Sequence, residues 1–266
     1  MVSTQGQADD SKVAIAPDGA EIWCRSSGMG EPVVLIAGFG CDERFWDPVL
    51  ESLAGMQVIV MQNRGVGSGA DIPAGFSTRD SAADVIAVLD AYGVESAAVY
   101  GHSLGGRIAQ WVAADYPERV RRLVLGATTI GDAQGIPRSD NAVAAFASGD
   151  PMALLELVLT PEYIRTHPDS REVTVSRIRG LRNRSRQSAV SSTHDGSLAV
   201  TEITAPTLVV HGTDDAISDV ENARILRDRI TGADLLELAG LRHNYLYESA
   251  VGNQMIAQFL QSSPRG

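Results

Sequence analysis

The segment Gly101-His102-Ser103-Leu104-Gly105-Gly106 sets one serine between two glycines, each two residues away. The apolar run AAVY at 97–100 precedes it, and an alanine-rich stretch follows to residue 116. A G-x-S-x-G sequence between a strand and a helix is the setting in which a very tight turn lifts a serine hydroxyl above a sheet. Side chains at 101 and 105 would collide with their surroundings in such a turn, and the serine backbone itself is strained there. The helix that follows turns free N–H groups towards a reacting carbon, with Leu104 supplying the first. The chemistry these residues suit is attack of a serine oxygen on a carbonyl.

A serine hydroxyl is a weak nucleophile at neutral pH and needs a base held close. Five histidines compete for that role. His102 adjoins Ser103, but the turn is expected to point it elsewhere. His211 ends an apolar run and reads as a buried structural residue. His167 and His194 fall in a segment that looks like an insertion. His243 follows the run LLEL at 235–238 and precedes the last helical stretch, at the carboxyl end of a final strand, so it is the expected base. A base of this kind needs a carboxylate to fix its tautomer. His211-Gly212-Thr213-Asp214-Asp215 follows another strand and offers two, whereas the loop GATTI at 126–130 offers none before Asp132. A second oxyanion donor is expected from the glycine-rich bend Gly38-Phe39-Gly40.

These groups need a scaffold that ends several strands at one edge. Five short apolar runs, at 32–37, 57–61, 97–100, 120–125 and 206–210, lack the alternation of a half-exposed strand and suit a parallel sheet covered on both faces. Helical spacing appears at 80–92, 104–116, 219–230 and 244–260, and the alternation implies right-handed βαβ units. Residues 12–26 read as a hairpin turning at Asp18-Gly19. The rhythm breaks between about 131 and 200, where helical pieces are expected at 142–147, 152–159 and 172–186. The expected organisation is a polar tail over 1–11, a core over 12–130 and 201–262, and a helical lid over 131–200 inserted in the same domain.

Composition narrows the function classes. The 266 residues are 44% hydrophobic and carry a net charge of −11, with a pI near 4.9. Such a surface repels phosphate backbones and anionic lipid, so neither nucleic acid nor membrane is an expected partner. No signal peptide is read in residues 1–12 and no apolar run reaches membrane-spanning length, which points to the cytoplasm. Cys24 and Cys41 read as buried free thiols. A small molecule is the expected partner, and a homodimer is compatible with these features.

Taken together, the motifs resemble the α/β-hydrolase superfamily. The resemblance runs from about residue 12 to 262 and rests on Ala37-Gly-Phe-Gly40, Asn63-Arg-Gly-Val-Gly-Ser68, the Ser103 turn, His211-Gly-Thr-Asp-Asp215 and Leu241-Arg-His243. It implies an α/β-hydrolase fold: a mostly parallel, doubly wound sheet with a small helical lid inserted. It implies the order serine, acid, histidine along the chain. It places the acid on Asp215 rather than Asp214, and the second oxyanion amide on Phe39, although Ala37 stands where relatives usually carry histidine. The loop at 63–68 looks structural. Gly38, His102 and Arg179 are the expected substrate-binding residues. Five arginines (Arg177, Arg179, Arg182, Arg184 and Arg186) crowd one stretch of the lid, either as a solvated face or as ligands for a substrate carboxylate. The chain is similar to esterases and 3-oxoadipate enol-lactonases, which implies ester or lactone cleavage without metal or organic cofactor. Cleavage of a C–C bond, cofactor-free perhydrolysis, and ligand sensing without turnover are the competing readings. A haloalkane dehalogenase is disfavoured, since its nucleophile would be an aspartate.

Overall fold

The computed structural model describes residues 10–67, 69–170, 172 and 183–262. Among these, eight strands form one sheet: β1 (Asp10–Ile15), β2 (Glu21–Ser27), β3 (Pro32–Ile36), β4 (Gln57–Met61), β5 (Ala97–His102), β6 (Val120–Gly126), β7 (Thr207–Gly212) and β8 (Asp234–Leu238). Their spatial order is β1-β2-β4-β3-β5-β6-β7-β8. Only β2 runs against its neighbours β1 and β4; all other pairings are parallel. The carboxyl ends of β3, β5, β6, β7 and β8 therefore share one edge.

Both faces are covered, and period-2 alternation assigns each side chain to a face. Along β3, Val34 and Ile36 join a core with Val85 and Leu89 of α2 (Thr78–Ala91), Ile108 and Val112 of α3 (Leu104–Asp115) and Leu226 of α9 (Glu221–Arg229). Val33 and Leu35 face the opposite core, with Trp46, Val49 of α1 (Asp47–Leu50) and Ile256 and Leu260 of α10 (Ala250–Gln261). Each such burial contributes roughly 1.5–3 kcal/mol, so the strands read as continuous apolar runs because neither face meets water.

Between β6 and β7 the described residues form α4 (Asp140–Ser148), α5 (Pro151–Val158), α6 (Pro161–Thr166), α7 (Arg184–Ser192) and α8 (Ala199–Glu202). Ser139, Asp150 and Thr160 cap the first three by accepting the amides of Ala142, Met152 and Tyr163. Each cap is worth about 1 kcal/mol. Among the described residues no helix is long and apolar enough to cross a membrane.

Several boundaries differ from expectation. The polar tail ends earlier, because Asp10 and Ser11 pair with Ser26 and Arg25 of β2. The last helix does not run from residue 244. Tyr245–Tyr247 form a 3-10 turn, and α10 starts only after Ser249, whose hydroxyl accepts the Gly252 amide. Of the helix expected over 172–186, residues 173–182 lie outside the described residues, and Arg184 to Arg186 open α7. Arg177, Arg179 and Arg182 lie outside the described residues, and Arg179 with them as a substrate ligand. Helix α6 was not expected at all, although Thr160-Pro161 is a sequence signal for a helix start. Cys24 and Cys41 are not in disulfides, and Cys41 is only half-buried.

Candidate active site

The bend that carries Ser103 is strained in the way its glycines foretell. Ser103 has φ +56° and ψ −115°, outside the comfortable regions for an L residue. A Cβ on Gly105 would lie 1.9 Å from the Ile36 carbonyl oxygen, and one on Gly101 2.3 Å from that of Gly105. Both obstacles are backbone, which cannot swing aside. The Ser103 amide donates to the Gly126 carbonyl at 2.8 Å, and the Thr128 hydroxyl donates to the Ser103 carbonyl at 2.7 Å. Strand β6 thus clamps the bend from one side.

The loop after β3 clamps it from the other. Gly38 packs so closely that a Cβ there would meet the Ser103 Cβ at 3.2 Å. The Asn63 side chain donates to the Ala37 carbonyl at 2.7 Å, and the Gly40 amide donates to Gln187 Oε1 of α7 at 2.7 Å. Gln187 also donates to the Arg64 carbonyl, and Arg64 is itself paired with Asp84 and Asp18. Asn63 and Arg64 therefore brace the bend. The amides of Phe39 and Leu104 have no acceptor among the described residues.

Asp215, not the exposed Asp214, meets His243. Its Oδ2 accepts from His243 Nδ1 at 2.7 Å and lies 3.1 Å from His211 Nε2, while its Oδ1 accepts the amides of Ile217 and Ser218 at 2.8 and 2.9 Å. Burial alone would raise this carboxyl, but the His243 imidazole and the hydrogen bonds from His211 and His243 outweigh it and hold it well below the usual carboxylate range. With Nδ1 donating to Asp215, a neutral His243 presents Nε2 as a bare acceptor. Sequence reasoning gave His211 a structural role and missed its contact with the acid. Its Nε2 faces two acceptors, Asp215 and the Ser218 carbonyl, so that nitrogen carries the proton.

His102, expected beside Ser103 as a substrate-binding residue and not as the base, borders the main cavity, and its Nε2 donates to the His243 carbonyl at 3.0 Å. The loop that carries His243 is also held by the Asn244 amide, which donates to the Val158 carbonyl of α5. The cavity encloses about 780 Å³ and is bordered by Gly38, Ser103 and His243, with Phe146, Leu154 and Val158 as apolar walls from α4 and α5. Arg184 reaches this cavity, whereas Arg186 donates to the Ile72 carbonyl instead.

Two buried histidines make the fold acid-sensitive. Burial, with help from His243, pushes His102 down to about 3. Burial, with help from Arg107, pushes His194 down to about 3. Both folded values lie below the unfolded value of about 6.5. Their contribution to stability is therefore complete above pH 6.5 and is lost as pH falls from there towards 3, at about 1.4 kcal/mol per pH unit for each ring. Thermal melts between pH 7 and 4 should show a falling Tm. In His194→Gln, the proton uptake on unfolding over that window should drop by about one.

A family profile for the alpha/beta hydrolase fold matches residues 31–145, and the chain belongs to the α/β-hydrolase family. The individual relatives carry different activities in their names. A putative carbamate hydrolase, RutD, of Variovorax paradoxus is 31% identical, over 87% of this chain and 92% of its own. A non-heme haloperoxidase of Rhodococcus erythropolis is 28% identical, over 93% and 98%. The solved structure of Est816, described as an N-acyl homoserine lactone degrading enzyme, is 28% identical with a TM-score of 0.79, covering 92% of this chain and 98% of that one. The chain is accordingly a hydrolase of this fold.

Proposed function

We propose that the chain cleaves a carboxylic ester or lactone of a small molecule through an acyl-enzyme. The observation that carries this reading is the buried Asp215–His243 hydrogen bond beside the positive-φ Ser103, with all three groups at one sheet edge. Ser103 Oγ attacks the carbonyl carbon while His243 Nε2 takes its proton. The amides of Phe39 and Leu104 hold the oxyanion. His243 then returns the proton to the departing alkoxide, and water, deprotonated by the same ring, releases the acid. Helices α4 to α7 act as the lid that selects the substrate.

Incubation with a fluorophosphonate should add one phosphonyl group, found by mass spectrometry on the peptide containing Ser103. Absence of that adduct, with tight ligand binding retained, would favour a sensor. The names of the relatives widen the substrate panel to carbamates and acyl lactones. The Rhodococcus relative also supports a second reading, peracid formation from a carboxylic acid and hydrogen peroxide at the same serine. Enol-lactones, aryl esters, carbamates, vinylogous diketones and peracid formation assayed side by side separate these reactions.

A further inference from the structure

Two cavities meet at Ser103, and they differ in chemistry. The larger one has the apolar walls already described. The second spans about 320 Å³, also borders Ser103 and His243, and is lined by Arg107, Thr128, Asp132, Arg138 and Ser218. Arg107 is 4% exposed and spends its donors on the Ser191 carbonyl, the Thr129 hydroxyl and Asp132, the last at 3.1 Å. Arg138 is half-buried. Its guanidinium lies 5.2 Å from the Phe146 ring centre and, among the described residues, reaches the Ser191 hydroxyl at 3.4 Å. Among the described residues it has no carboxylate partner. Asp132 offsets one guanidinium and leaves the other uncompensated beside the nucleophile. The chain has 33 acidic side chains against 22 basic ones, so the missing partner does not reflect a shortage of carboxylates. A second, independent observation points the same way: the Ser218 hydroxyl, in a residue 6% exposed, is buried without any hydrogen-bond partner.

A cation without a counter-ion and a hydroxyl without an acceptor, in one cavity, fit an anion with several acceptor lone pairs. We propose that this cavity is a carboxylate subsite, so that the substrate is an ester or lactone bearing a free carboxylate within a few bonds of the scissile carbonyl. Arg138 grips the carboxylate through its forked donors, the Ser218 hydroxyl donates to it, and Arg107 with Asp132 forms the floor. The apolar part of the substrate fills the larger cavity. The inference rests on the serine-hydrolase reading for its reaction but not for its binding, and the two are tested separately.

Two matched pairs of esters probe both sides of the scissile bond. They are p-nitrophenyl hemiglutarate against p-nitrophenyl pentanoate, and the butyrate ester of glycolate against propyl butyrate. In at least one pair the charged ester should have a kcat/KM ten-fold or more above its neutral partner. That preference should shrink as salt is added. Arg138→Met should erase it, chiefly through KM, and Arg138→Lys should restore part of it. Ser218→Ala provides a second variant that adds no charge. Binding is measured by calorimetry on Ser103→Ala, with glutarate monoanilide against pentananilide, so that it does not depend on turnover. Ten-fold tighter binding of the charged anilide, lost with Arg138→Met, supports the subsite even if no ester is hydrolysed. No preference for charge in either ester pair and in binding, or a preference that survives Arg138→Met, overturns it and leaves the hydrolase reading intact.

Discussion

Ser103→Ala should lower the turnover of any accepted ester by on the order of 10⁶-fold in kcat, the loss seen when the serine of a comparable triad is removed. It should do so without unfolding the protein. The bonds that fix the bend are backbone ones, from the Ser103 amide to Gly126 and from the Thr128 hydroxyl to the Ser103 carbonyl, and alanine keeps both. The positive φ is borne about equally by serine and alanine. The Tm should therefore stay within about two degrees of wild type, which for a chain of this size corresponds to less than about 1 kcal/mol. Some acceleration over water should remain, because the Phe39 and Leu104 amides would still polarise the carbonyl. Steady-state kinetics and the fluorophosphonate adduct are both read on the same preparation. If Ser103→Ala kept full activity, the acyl-enzyme mechanism would be wrong.

Asp215→Asn should cost about 10⁴-fold in kcat near neutral pH, and the hydrogen-bond pattern says why. The Oδ1 position accepts two backbone amides, from Ile217 and Ser218, so the asparagine carbonyl must take that place. Its NH₂ group then faces His243 Nδ1 and His211 Nε2, which in the native site are both donors to Oδ2. His243 can meet a donor only by accepting at Nδ1, which moves its proton to Nε2. In that tautomer the ring cannot take the Ser103 proton. KM should change little, since Asp215 is buried behind the ring. A loss of less than ten-fold would remove Asp215 from the mechanism and reopen Asp214, which lies exposed with its Oδ1 accepting from the Thr213 hydroxyl.

The parts legible in the sequence were those dictated by local rules. Buried parallel strands announce themselves as apolar runs, and 57–61 coincides with β4 residue for residue. The helix read at 80–92 starts two residues earlier, at Thr78, where Ser77 and Asp80 satisfy each other's backbone amides. Less legible were elements whose form depends on distant partners. Residues 244–250 have helical letters, but Tyr245 is drawn into the core, where its hydroxyl meets that of Tyr100 at 2.9 Å, and the helix restarts only beyond it. The hydrogen bond of His102 was illegible for a similar reason. Its ring direction is set by the His243 carbonyl, 141 residues away, and not by the bend it stands on.

Sequence alone determined which candidate groups stand at the strand ends. Ser103 between its glycines, a carboxylate after β7 and a histidine after β8 follow from residue types and spacing. Tertiary structure decided which of two adjacent aspartates meets His243, that His211 shares that carboxylate, and that Gln187 from a distant helix braces the Gly40 amide. It also decided that, among the described residues, Arg138 has no carboxylate partner and the Ser218 hydroxyl no hydrogen-bond partner, in a cavity that borders Ser103. These are matters of what lies within hydrogen-bond reach across a folded interior, and neighbours along the chain do not encode them.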